Sequence, residues 1–77
     1  MEYSENDLDA LEADLLQAER HRDWMSGVAV TLKARNRPAR AAELQYAHFA
    51  AMAEQMRELR ARIEQNIIAQ RETSAAD

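Results

Sequence analysis

Apolar residues step by three and four through the first half of the chain: Leu8, Leu11, Leu15, Ala18, Arg22, Met25, Ala29 and Leu32. This is a heptad stripe, with Leu8, Leu15, Arg22 and Ala29 at position a and Leu11, Ala18, Met25 and Leu32 at position d. One arginine interrupts it. The second half repeats the rhythm through Ala39, Ala42, Tyr46, Phe49, Ala53, Met56, Arg60, Ile63 and Ile67, again with one arginine. A second ridge carries Leu44, Ala47, Ala51, Met52 and Leu59. Two adjoining ridges make a face broad enough to touch more than one helix.

The pattern predicts helices over about 4–34 and 37–72. Ser4 followed by Asp7 suits a capping box, and Tyr3 with Leu8 suits a hydrophobic staple. Pro38 fits the first turn of the second helix, with Asn36 or Arg37 as its cap. The residue before a proline avoids helical geometry, so Lys33–Pro38 is the turn. A short connection favours antiparallel neighbours. The expected fold is all-α: one domain over 1–77, an antiparallel two-helix hairpin that pairs into a four-helix-bundle-like dimer, with 73–77 a frayed tail. One local alternative is open. Val28 to Leu32 follows Gly27 and alternates as a strand could, extended against a second chain.

Size sharpens the picture. A chain of 77 residues buries only ~60% of the surface its unfolded form exposes. With no cysteine, disulfides and thiolate metal sites are excluded. Helix packing and self-association are left as stabilisers. The N-terminus is acidic, without a leader-like apolar stretch, and no apolar run approaches a bilayer span. The expected compartment is cytoplasmic.

Charge is polarised. Residues 1–23 hold eight acids against Arg20 and Arg22. Residues 24–42 hold no acid and four bases, Lys33, Arg35, Arg37 and Arg40. Residues 43–77 hold six acids and four arginines, for an overall net charge of -4. A hairpin of this chain has an acidic open end and a basic turn. Paired antiparallel, each turn would meet the partner's acidic end. Arg57, Arg60 and Arg62 fall near the level of Glu12 and Asp14, and Arg60 in the stripe is expected to reach such a carboxylate.

Catalytic chemistry finds little material. Ser4 is a cap, Ser26 sits beside Gly27 and Ser74 is near the end, none with a base at a recognisable spacing. His21 and His48 lack the further ligands a metal needs, and the Glu-x-x-His pairing of di-iron bundles is absent. One glycine cannot build a phosphate loop. The expectation is a non-catalytic protein without cofactor or metal.

Protein contact has the best material. Trp24 falls at position c, off the core stripe, with His21 and Val28 on adjoining turns. Leu16 and Val30 also lie off the stripe. The candidate protein-binding residues are Leu16, His21, Trp24, Val28, Met52 and Leu59, and the candidate partners are a second copy and a larger protein. Lys33, Arg35, Arg37 and Arg40 form a basic cluster without interleaved aromatics, in a chain of pI about 5.1, so nucleic acid is the weaker expectation.

The two stripes joined by a short turn resemble small antiparallel helical-hairpin dimers of the Rop type. The resemblance is architectural and does not fix function. It implies, as the alternative, a nucleic-acid-binding helper acting through the basic turn. The run Trp24-Met25-Ser26-Gly27 has one residue too many for the WXG secreted hairpins, so no family is identified from the sequence.

Overall fold

The computed structural model describes residues 3–76; Glu2 and Asp77, counted in the charge layout above, lie outside them. Helix α1 runs Glu5–Ala34 and helix α2 runs Arg40–Ala76, antiparallel along one another. Residues 28–32 are helical, so the strand alternative is overturned. Gly27 keeps negative φ, and the helix passes through it without a break.

α1 starts as its sequence requires. The Asp7 amide donates to Ser4 Oγ at 3.2 Å, and the Ser4 amide donates to Asp7 Oδ2 at 2.9 Å. Both halves of the capping box are therefore made. Tyr3 is tied across the hairpin by its backbone: its amide donates to Asn66 Oδ1 at 3.1 Å, and Gln70 Nε2 donates to its carbonyl at 3.4 Å.

The turn corrects one expectation. Asn36 does not cap α2; it ends α1 with a left-handed φ of 57°. The Asn36 amide donates to Lys33 O at 3.1 Å and the Arg37 amide to Leu32 O at 2.8 Å. These two bonds define a Schellman motif with asparagine in the usual glycine place. Pro38 then stands before α2 instead of inside its first turn. The Ala39 carbonyl accepts the first bond of α2, from the Glu43 amide at 2.9 Å. At the other end α2 continues past the expected stop near 72 to Ala76. No proline or glycine lies there to end it, and Thr73 Oγ1 donates back to Ala69 O at 2.9 Å.

The core is thin. Its buried apolar residues are Leu15, Ala18, Ala29, Ala39, Ala42, Ala53 and Ile63. Alanine lets helices approach closely but brings little apolar area, and a buried CH₂ is worth only ~0.8 kcal/mol. The core also comes in pieces. Leu15, Ala18 and Ala53 pack with Met56, while Ala29, Ala39 and Ala42 pack with Met25, Val28 and Leu32. Arg22 falls between them in the stripe and donates from Nε to Asp23 Oδ1 at 3.0 Å. The result is a rod of 65 × 15 × 14 Å.

Candidate interaction surface

The two flanks of the rod differ in chemistry. If Ala39 is placed at position a of α2, the e positions of the helices face each other along one flank. Among the described residues three cross-helix ion pairs run along it. Lys33 Nζ meets Glu43 Oε1 at 3.2 Å near the turn, Arg57 meets Glu19 Oε2 at 3.1 Å at mid-length, and Arg71 meets Glu5 at the open end. Each helix supplies its partners two heptads apart, so the pairs fix register. All are substantially exposed, and such pairs contribute less than ~1 kcal/mol each. Arg57 also meets Glu54 Oε2 at 3.2 Å. The expected reach of Arg60 to Glu12 or Asp14 is not made. Arg60 lies half-buried against Glu64 of its own helix at 3.8 Å, and Arg57 makes the cross-helix contact.

The opposite flank brings the g positions together and carries no cross-helix ion pair among the described residues. From α1 come His21 and Val28, and from α2 come Met52 and Leu59. The His21 ring packs on Phe49 at a centroid distance of 5.1 Å, and His48 meets the same ring edge-on at 5.5 Å. Phe49 thus packs against both histidines. Trp24 stands at the rim of this flank, 70% exposed. A shallow apolar groove beside it is lined by Asp23, Trp24, Gly27, Val28, Thr31 and Leu32. Met52, Gln55, Met56 and Leu59 line a second one on α2.

Five of the six candidate contact residues, His21, Trp24, Val28, Met52 and Leu59, therefore share one flank. Val28 and Met52 are half-buried there. Leu16 is separate. It is 49% exposed and sits at position b, between Glu12 and Glu19 on the ion-pair side. Val30 shares that side, in a groove with Ser26, Ala29, Lys33, Glu43 and Tyr46. Sequence reasoning did not single out the ion-pair flank, although the regular spacing of Glu5, Glu19 and Lys33 against Glu43, Arg57 and Arg71 was there to be read.

Arg35, Arg37 and Arg40 are exposed at the turn and make no side-chain ion pair among the described residues, whereas Lys33 is held by Glu43. Asp9, Glu12 and Asp14 towards the open end likewise make none. The hydrogen bond from Arg22 to Asp23 holds the guanidinium pKa above its ordinary value, against the opposing effect of desolvation. Among the described residues no three of His, Cys, Asp and Glu gather as a metal site. Among the described residues no helix is long and apolar enough to cross a membrane. Comparison with family models, with curated proteins and with solved structures gives no match.

Proposed function

We propose that this protein is a small non-catalytic interaction module that pairs with itself and binds a larger protein, as a regulator, inhibitor or adaptor does. The supporting observation is the exposure of large apolar side chains on both flanks of a hairpin, with Trp24 on one and Leu16 and Val30 on the other. Trp24 is of the residue type that most often anchors protein interfaces. The reading is tested by immobilising the tagged chain and collecting what it retains from a lysate of its own source. Leu16→Asp should weaken retention of a larger protein, and Trp24→Ala retention of a larger protein or of a second copy, while helix content is unchanged. If both folded variants retain the same proteins as the parent chain, the reading fails.

The exposed, unpaired Arg35, Arg37 and Arg40 support a second reading, a nucleic-acid helper acting through the turn. Few phosphate contacts imply weak, salt-sensitive binding. Replacing all three with glutamine should abolish a low-salt mobility shift of RNA or DNA. Absence of any shift with the parent chain ends that reading.

A further inference from the structure

The two flanks call for different occupants, and the Trp24 flank has the features of a surface that meets its own copy. We infer that it is covered by the same flank of a second copy of this chain, running antiparallel about a two-fold axis that crosses near His21 and Met52. The inference rests on the interaction-module reading and names the occupant of one of its two surfaces.

Area is the first argument. The chain exposes 6015 Å², where a compact monomer of its mass would expose about 4,800 Å². The surplus of roughly 1,200 Å² exceeds the ~800 Å² that each partner gives up in a standard stable interface. The radius of gyration agrees: it is 17.9 Å, against about 11.5 Å for a compact fold of this length. A core made mostly of alanine leaves the hairpin short of buried apolar area, and a second layer of helices supplies it.

Charge supplies the direction. Arg35, Arg37 and Arg40 at the turn and Asp9, Glu12 and Asp14 towards the open end are unpaired sets of opposite sign within one chain. A parallel pair would set each basic turn beside its copy. In the antiparallel pair α1 lies against the partner's α1 in the reverse direction, and Arg35 and Arg37 approach the level of the partner's first acidic turns. Complementary potential of this kind selects orientation, and a two-fold interface requires the one patch to satisfy itself. The ion-pair flank is less suited to the role, because cross-helix pairs within the hairpin already run along it; of the unpaired acids Asp14 lies on the Trp24 flank, while Asp9 and Glu12 border the ion-pair side.

Sedimentation equilibrium of the full chain tests the pairing, and engineered cysteines test the direction. The expected mass at micromolar concentration is twice the 8.8 kDa of one chain. Trp24→Ala should weaken association by about thirtyfold or more, as truncating a buried aromatic anchor does. Leu16→Glu on the other flank should leave the mass unchanged. Ala10 and Thr31 occupy position c of α1, at levels that meet only in the antiparallel pair. An A10C/T31C chain should therefore oxidise to covalent dimers, and T31C alone should not. The cysteine arm still decides if a flank variant loses helix content together with mass. A monomeric parent chain, or T31C cross-linking as readily as the double variant, overturns the inference. So does loss of the dimer in Leu16→Glu but not in Trp24→Ala. A monomer that still retains a larger protein leaves the module reading standing and gives the Trp24 flank to that protein. A dimer that retains nothing defeats the module reading alone.

Discussion

Single residues in this hairpin act mainly through backbone geometry. Gly27 lies inside α1 with nothing within 4 Å of where a Cβ would stand, and its φ is ordinary for a helix. Gly27→Ala should therefore stabilise the fold by about 1 kcal/mol, seen as a higher denaturant midpoint with unchanged slope. Asn36 is the reverse case. At φ 57° a β-branched side chain is strained, so Asn36→Val should cost about 1–2 kcal/mol, while Asn36→Gly should be neutral or better. In a domain this small each kcal/mol moves Tm by about 4–8 °C, so thermal melts resolve both. The Ser4 cap was readable because a capping box is local in sequence. The role of Asn36 was not, because the same asparagine before a proline serves equally as a cap for the next helix. Only the hydrogen bonds of the closed turn choose between the two.

The helices owe their pairing register to side chains repeating every two heptads. Glu5, Glu19 and Lys33 face Arg71, Arg57 and Glu43. A Glu19→Ala, Arg57→Ala double-mutant cycle should return a coupling below about 1 kcal/mol, smaller still at high salt, because both groups are partly exposed. A coupling of several kcal/mol would mean that this pair is shielded from water by something the hairpin alone does not provide. Both heptad stripes, and hence both helices, were legible from spacing. Their ends were less so: α2 begins at Arg40 and reaches Ala76, since an alanine-rich, breaker-free tail propagates a helix already nucleated. The cross-helix partner of the arginines was also missed. Position along a rod gives the level of a residue, but which arginine turns inward depends on small rotations of α2.

For the whole molecule the decisive quantity is unburied apolar surface on a 65 Å rod. If association supplies the missing core, melting should depend on protein concentration, with Tm rising as the chain is raised from low to high micromolar. A concentration-independent melt of a well-folded chain would mean that the hairpin is sufficient by itself. Trp24, His21 and Val28 are neighbours on one helix face by spacing alone, and the fold lays Met52 and Leu59 beside them. Leu16 lies on the other side; a list of residues off the core stripe does not say on which side of the stripe each lies.

Sequence by itself determined the two helices, the single turn between them, the capping box and the polarised charge, because each follows from short-range spacing or from composition. Tertiary structure decided the handedness of the arrangement: which positions face across each flank, and so where ion pairs form and where apolar side chains stay uncovered. That choice arises only when two stripes are laid together, since packing alanine against leucine and isoleucine fixes the rotation of each helix. The rotation then sends one set of flanking residues to the charged side and the other to the Trp24 side.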